Sequence, residues 1–375
     1  MRAFTQPARP GLFISVGATL MLALSVVAGP VTAPAASATA QIQPIAIQPI
    51  AGNPRAASGT RVPARMPRSE AVVLVGGGGS VTPFVTPQRS CRQGPPAGKS
   101  LTPLYRTLNR TGLRTYTAPT MAGVGPVVLP TSAGSSFDCG KTLPARYTID
   151  SAGSLNAGGK RLAAFLRYLA RSRGVTSVHL VGYSMGGNFA RSGIGHLRAS
   201  HSGLSIRSLS TLATGWRGTY AAEIAAGDLP ISSCSGQPTC EALAQDWIDN
   251  YSGTSSPALV QSTRRYLDGT RNDRGWNYRQ RGALDGIPVT LFGGDYFRLA
   301  GASRDVWPND GSVSLWSALA QGLPTRILPC ARRYSFPVTH SRWVTGPLGL
   351  PDHLQIQANP AVIRRLIKTI DKNRA

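Results

Sequence analysis

The stretch Val178-His179-Leu180-Val181-Gly182-Tyr183-Ser184-Met185-Gly186-Gly187 decides the fold. The run Ser177 to Val181 predicts a buried strand, and Asn188 to Leu197 is compatible with a helix. A sharp turn from strand to helix strains the backbone of its central residue, and side chains two residues before and after would collide with the strand and helix. Ser184, with glycine at both of those positions, is therefore predicted to be a nucleophile. The alternative is an ordinary glycine-rich turn, but the apolar strand before it and the second glycine at 187 favour the nucleophile.

Short apolar runs and helical periodicities alternate along the rest of the chain. Strands are predicted at Ala71–Val75, Thr115–Ala118, Ile206–Ala213 and Ile287–Phe292, and helices at Leu101–Arg110, Ser154–Arg173 and Pro360–Lys372. Strands that are apolar throughout and separated by helices are typical of a parallel sheet covered on both faces. The predicted fold class is therefore α/β, with a mostly parallel central sheet.

The N-terminal segment has the features of a secretory signal. Arg2 and Arg9 precede the apolar run Leu12–Ala28, and a small-residue stretch ends at Ala38-Thr39-Ala40. We expect cleavage near residue 40, a flexible Pro/Ala-rich linker over 41–68 and a catalytic domain over 69–375, with the mature protein secreted. A retained membrane anchor is the alternative.

The charge balance is strongly positive. The 375 residues carry 40 Lys+Arg against 16 Asp+Glu, a formal net charge of +24. The arginines are scattered, and no zinc-finger, basic-zipper or RNA-recognition pattern accompanies them, so we expect no nucleic acid partner. A cationic surface suits an anionic membrane or cell-wall polymer, and we expect a monomer.

Five cysteines follow no metal-ligand spacing, which favours disulfides in an exported protein. Cys234 and Cys240 flank a short turn and are the easiest pair to close. Cys91 with Cys139 is the second predicted pair. The odd count leaves one thiol free or paired between molecules.

Together these motifs resemble the α/β-hydrolase superfamily, and within it the secreted bacterial lipases and esterases, over about Glu70 to Ile370. In that family an acid and then a histidine follow the nucleophile in chain order. The segment Asn309-Asp310-Gly311-Ser312-Val313 resembles the one that carries the catalytic aspartate, so Asp310 is the predicted acid. Asp295 is the alternative, with a turn-capping role as its non-catalytic interpretation.

The predicted base is His353, because a His-Leu pair before a terminal helix resembles the way the family ends. His340, which follows Tyr334 to Val338, is the alternative, with a solvated loop position as its non-catalytic interpretation. The other histidines are set aside: one lies inside the strand before Ser184, and two precede both acids.

The oxyanion hole of this family takes one backbone N–H from the residue after the nucleophile and one from a loop after an early strand. Met185 is the first donor. Gly78, in the run Gly76 to Gly79, is the best match for the second, although the family usually has His-Gly there. The run lacks the Lys-Ser/Thr of a P-loop and the third glycine of a dinucleotide site.

An insert over about 217–286 lies where the family has its cap, and its aromatic residues could line an acyl pocket or simply form a core. Gln355 stands where some related lipases have a calcium-binding aspartate, so no metal or cofactor is predicted. The resemblance implies a serine hydrolase of carboxylic esters, with lipids or other small esters as substrates. Acyl transfer, thioester or phospholipid cleavage and a non-catalytic wall- or lipid-binding protein are the alternatives.

Overall fold

We analysed a computed structural model that describes residues 65–88, 97–127, 142–251 and 256–374. The predicted signal, most of the linker and the Cys91–Cys139 pair lie outside these residues. Met66 is buried, and its N–H donates to the carbonyl of Gly112 over 3.4 Å. The packed chain therefore includes Met66, three residues before the predicted boundary at 69.

The predicted strands form one sheet. The strands are β1 Glu70–Val75, β2 Thr115–Thr117, β3 Thr120–Met121, β4 Ile149–Asp150, β5 Ser177–Tyr183, β6 Ser205–Leu212, β7 Val289–Gly294 and β8 Ala331–Phe336. Six of them form a sheet in the order β2-β1-β5-β6-β7-β8, with every pairing parallel, and β3 pairs with β4 separately. The mostly parallel central sheet predicted from the apolar runs is confirmed.

Helices connect the strands and follow the last one. They are α1 Gly98–Arg110, α2 Leu155–Arg173, α3 Gly186–Ala199, α4 Tyr220–Ala225, α5 Pro238–Tyr251, α6 Pro257–Val260, α7 Arg264–Leu267, α8 Trp276–Arg279, α9 Leu315–Ala318, α10 Arg342–Thr345 and α11 Pro360–Lys372. The ends of α2 follow from its sequence: Ser154 accepts a hydrogen bond from the N–H of Ala157, and Gly174 closes the helix at φ 63°.

The sheet is covered on both faces because successive side chains of a strand point to opposite sides. Val73 and Val75 pack in one core with side chains of α2 and α3, such as Phe165 and Phe189. Val72 and Leu74 pack in a second core that also includes side chains of α1 and α11, which is the layer arrangement that the sequence predicts.

The insert between β6 and β7 contains α4 to α8. Cys234 and Cys240 form the predicted disulfide, and Cys330 carries a free, exposed thiol. Trp216, Tyr220 and Trp276 are buried as core aromatics. Whether the insert acts as a cap stays a prediction. Within the residues that the structure describes, no helix combines the length and apolar character that crossing a membrane requires.

Candidate active site

Ser184 lies on the predicted sharp turn between β5 and α3. Its φ is 53°, a left-handed value that is strained for a residue with a side chain. The turn is held by two backbone contacts: the Ser184 N–H donates to Leu212 O over 2.8 Å, and the Thr214 hydroxyl donates to Ser184 O over 2.8 Å. The backbone is therefore fixed in the conformation that the sequence pattern predicts.

The glycines around Ser184 are required by close packing. A Cβ on Gly182 would lie 2.5 Å from the Cα of Gly187. A Cβ on Gly186 would collide with the carbonyl oxygen of Val75, and one on Gly187 with the side chain of Thr214. The helix therefore begins directly against the ends of β1 and β6, with no room for side chains at these positions.

His340 joins Ser184 to Asp310. Its Nε2 lies 3.0 Å from the Oγ of Ser184, and its Nδ1 lies 2.8 Å from the Oδ2 of Asp310. Because a carboxylate accepts hydrogen bonds, it favours the tautomer with the proton on Nδ1, which leaves Nε2 free to accept the serine proton. The geometry is that of a nucleophile, a base and an orienting acid.

Asp310 is fully buried and held by backbone N–H groups. Its Oδ1 accepts from Ser312 N over 3.0 Å and from Val313 N over 2.8 Å, and its own carbonyl accepts from the N–H of His340 over 2.7 Å. The Asn309-Asp310-Gly311 segment thus folds around the carboxylate. Oδ1 is thus occupied by backbone N–H groups, and Oδ2 is the oxygen that bonds His340 Nδ1.

The choice of His353 over His340 requires correction. His353 is exposed in the short 3₁₀ helix Asp352–Leu354, and the imidazole that contacts Ser184 and Asp310 belongs to His340. The segment after His353 instead supports the His340 loop, because Leu354 O accepts from Thr339 N over 2.7 Å. His340 follows β8, a half-exposed edge strand. Because β8 contains polar residues, it has no apolar run by which the sequence could identify it as a strand.

Asp295, the alternative acid, is engaged elsewhere. Its Oδ2 accepts from Arg298 Nη2 over 2.9 Å, and its carbonyl accepts from Arg298 Nε over 3.0 Å. The Asp295 side chain lies in the turn after β7, as its non-catalytic interpretation has it, but it pairs there with the Arg298 side chain. The residue two positions after His340 is Arg342.

The predicted oxyanion donors lie next to each other. A Cβ on Gly78 would lie 3.7 Å from the Sδ of Met185, and one on Gly77 would lie 2.7 Å from the Cβ of Ser184. Within the described residues, neither Met185 N–H nor Gly78 N–H has an acceptor. Both N–H groups are therefore free to donate to a bound oxygen atom.

Two supporting residues were missed by the sequence analysis. Ser151 accepts from Gly79 N over 3.3 Å and donates to Ser80 O over 3.1 Å, so it fixes the glycine loop from outside. The buried hydroxyl of Tyr183 donates to His340 O over 2.8 Å, and burial together with nearby Asp310 raises the pKa of Tyr183 well above its usual range. Tyr183 is adjacent to Ser184 in the sequence, but its role depends on a contact 157 residues away.

The parallel sheet, the strained serine between β5 and α3, and the chain order serine, aspartate, histidine define the α/β-hydrolase fold. Among solved structures, this chain is similar to the mature lipase BlEst2 of Bacillus licheniformis, at 14% identity over 82% of this chain and 94% of that chain, with a TM-score of 0.44. It is also similar to a lipase-esterase related protein of Clostridium acetobutylicum, at 11% identity over 81% and 96% of the two chains, with a TM-score of 0.38.

A third similar structure is naproxen esterase of Bacillus subtilis, at 13% identity over 82% of this chain and 86% of that chain, with a TM-score of 0.39. No family model matches the chain, and no curated protein matches it. The function proposed below therefore rests on the geometry of the site.

Proposed function

We propose that this protein is a serine hydrolase that cleaves carboxylic esters through an acyl-enzyme, with Ser184 as nucleophile, His340 as base and Asp310 as orienting acid. The observation that carries the proposal is the continuous hydrogen-bonded chain from Ser184 Oγ through His340 to Asp310. It supplies each role that acyl transfer to a serine requires.

In the first half of the reaction, Ser184 Oγ attacks the ester carbonyl carbon while His340 Nε2 takes the serine proton. The carbonyl oxygen becomes an oxyanion, which the N–H groups of Met185 and Gly78 stabilise from the turn and the glycine loop. The tetrahedral intermediate collapses, the bond to the alcohol oxygen breaks, and His340 returns its proton to the leaving alcohol.

In the second half, water attacks the acyl-enzyme carbonyl and gives a proton to His340 Nε2. Collapse of this second intermediate breaks the bond to Ser184 Oγ, and His340 protonates the serine. The carboxylic acid leaves, and the buried carboxylate of Asp310 stabilises the imidazolium during both halves.

We propose apolar acyl esters, such as lipids, as the substrate class. The support comes from aromatic side chains near His340 in the sequence and around it in the insert: Trp343, three residues after His340, packs against Trp247 of α5 with ring centroids 6.2 Å apart. Trp247 also lies 4.9 Å from Tyr251, and all three rings are partly exposed. An aromatic surface of this kind suits an acyl chain.

The test is hydrolysis of p-nitrophenyl esters of graded chain length, from acetate to palmitate. We expect Ser184→Ala and His340→Ala to lose kcat by about 10⁴-fold or more, as removal of members of serine triads does elsewhere. The matched control is His353→Ala, which should leave turnover within about twofold because its exposed ring does not touch the triad.

Three results would count against the proposal. Loss of activity in His353→Ala but not His340→Ala contradicts the base assignment, and equal rates for wild type and Ser184→Ala contradict the enzyme assignment. A preference for the acetate ester over long-chain esters contradicts the proposed lipid substrate and leaves the ester hydrolase assignment in place. Release of the acyl group to an added alcohol faster than to water would favour acyl transfer on the same residues.

We also propose that the protein is exported. The apolar run Leu12–Ala28, which Arg2 and Arg9 precede, supports this. The Cys234–Cys240 disulfide supports it too, since such bonds persist in oxidising compartments. Sequencing the N-terminus of protein recovered from the medium should give a start near Gln41, and recovery from the membrane with residues 1–40 intact would favour the anchor.

A further inference from the structure

A cavity of about 540 Å³ lies at the C-terminal end of α3. Three arginines line it, Arg198, Arg279 and Arg281, together with the polar side chains of Asn156, His196 and Gln280. No carboxylate is among its described lining residues. The cavity therefore presents a concentrated positive charge.

Backbone carbonyls fix the guanidinium groups in this cavity. Arg198 donates to the carbonyls of Gly282 and Asp285, and Arg279 donates to Arg274 O over 3.1 Å. These contacts satisfy some N–H groups and leave the positive charge uncancelled, because a carbonyl is neutral. The cations are thus held in place before any ligand arrives, which lowers the entropy that binding must overcome.

A second group of arginines adjoins the cavity and surrounds one ring. The guanidinium carbons of Arg274, Arg281 and Arg326 lie 4.4, 4.7 and 5.2 Å from the centroid of Tyr278. Cation–π attraction to the ring offsets part of the mutual repulsion of these like charges. Arg281 belongs to both groups, so the two patches are continuous.

None of these five arginines forms an ion pair in the part of the chain that the structure describes. Other arginines of the same region do: Arg217 pairs with Asp268 over 2.6 Å, and Arg264 with Asp305 over 2.7 Å. Asp285 is the carboxylate at the edge of the cavity, where its Oδ2 lies 3.5 Å from the site of a Cβ on Gly282. Asp285 at this edge and Asp273, which precedes Arg274 in the chain, still leave an excess of positive charge among the five arginines.

The arginine cluster lies far from the candidate active site. Helix α3 begins two residues after Ser184 and runs for 14 residues, so at about 1.5 Å per residue its two ends are about 20 Å apart. The second half of α3, from Ser192 to Arg198, lines the cavity, and Arg198 lies near the end opposite Ser184. None of the cluster arginines belongs to the candidate active site.

We propose that this cluster, Arg198, Arg274, Arg279, Arg281 and Arg326, binds a polymer that carries phosphate groups along its length. Guanidinium groups bind phosphate oxygens in pairs, and a chain of phosphates can reach both patches where a single phosphate reaches one. Three guanidinium groups already lie over the Tyr278 ring, and a nucleobase would have to displace them to stack on it.

A bilayer fits the cluster less well than a polymer does. The exposed large apolar side chains of the described residues are Val124, Ile231 and Val260, and none belongs to the cluster or to the lining of the cavity. Insertion into a membrane surface needs apolar side chains beside the basic ones. The charge without apolar neighbours favours a hydrated polyanion.

The test measures binding of long-chain inorganic polyphosphate to the full-length protein by calorimetry at two salt concentrations. The variant Arg198→Gln/Arg279→Gln/Arg281→Gln removes the cavity charge. The matched control Arg106→Gln/Arg110→Gln/Arg364→Gln removes the same charge from exposed positions on α1 and α11, which cover the opposite face of the sheet. Hydrolysis of p-nitrophenyl butyrate checks that each variant is folded.

We expect the cavity variant to bind polyphosphate about tenfold or more weakly and with a shallower salt dependence, and the control variant to change by about twofold or less. The single variant Asp285→Asn should bind more tightly than wild type. Equal losses in both triple variants would show that net charge alone drives binding and would overturn the proposal. So would wild-type binding of inorganic phosphate as tight as that of the polymer, tighter binding of duplex DNA or of anionic vesicles, or no binding of polyphosphate.

Discussion

Replacing Asp310 by asparagine tests how the buried acid works. The Oδ1 of Asp310 accepts two backbone N–H bonds, so the asparagine oxygen is expected to keep that position and its NH₂ group to face His340 Nδ1. Two donors cannot pair, and the imidazole then carries its proton on Nε2, where it can no longer accept the proton of Ser184. We expect kcat to fall by about 10⁴-fold, which corresponds to about 5.5 kcal/mol of transition-state stabilisation.

The assay is steady-state hydrolysis of p-nitrophenyl butyrate, with the unfolding midpoint in urea as a check on folding. The matched control is Asp295→Asn, which alters a carboxylate paired with Arg298 and should reduce kcat by less than about tenfold. The reasoning is refuted if Asp310→Asn retains wild-type turnover, or if Asp295→Asn loses as much.

Three further predictions concern two buried titratable groups and a glycine of α3. Burial raises the pKa of Glu223 in α4 to about 7, so its native carboxyl keeps a proton that the unfolded chain has lost. Wild-type stability should therefore fall as pH rises from about 4.5 to 7. In urea unfolding, Glu223→Gln should gain about 2.5 kcal/mol relative to wild type between pH 5 and pH 8, and a pH-independent difference would contradict this. Burial lowers the pKa of His179, which is hydrogen-bonded to Glu70 and Ser208. The unfolded state therefore binds more protons, and stability should fall as pH drops below about 6.5. In urea unfolding, His179→Gln should lose less stability than wild type as the pH falls below 6.5. Gly187→Ala should lower the free energy of unfolding by about 2 kcal/mol, measured by thermal unfolding, because the added Cβ collides with Thr214. The control Gly195→Ala lies in the same helix, where an added Cβ has its nearest neighbour at 3.6 Å, and it should raise the free energy of unfolding by about 0.5 to 1 kcal/mol.

The nucleophile and the sheet could be predicted from the sequence because their signals are local. Ser184 requires glycines at fixed spacing, and the inner strands are buried on both faces, so every residue in them tends to be apolar. The Asp310 segment is also local, since the aspartate accepts from N–H groups two and three residues later. Each of these features is decided within a few residues.

The histidine could not be chosen in the same way. Strand β8, with the sequence Ala-Arg-Arg-Tyr-Ser-Phe, lies at the sheet edge and is half exposed, so it lacks the apolar run that marks the other strands. His340 reaches Ser184 because β8 pairs with β7 and its loop pairs with the segment around Gln355. Because those contacts join residues far apart in the chain, the sequence alone does not decide between His353 and His340.

The arginine cluster was likewise invisible in the sequence. Its members come from α3, the loop before α8, the end of α8 and its following loop, and the segment before β8, so only the fold brings them together. The net charge of the chain predicts an anionic partner but does not show where on the protein that partner binds. The location follows from which arginines line one cavity and lie around the ring of Tyr278.

The central claim is that His340 activates Ser184, and the most direct measurement is labelling with a fluorophosphonate followed by peptide mass spectrometry. An activated serine oxygen displaces fluoride from phosphorus, so the account predicts one adduct, on the peptide that contains Ser184. Labelling should be absent in Ser184→Ala, strongly slowed in His340→Ala and unchanged in His353→Ala. An adduct on another residue, or labelling of Ser184 that depends on His353 and not on His340, would contradict the account.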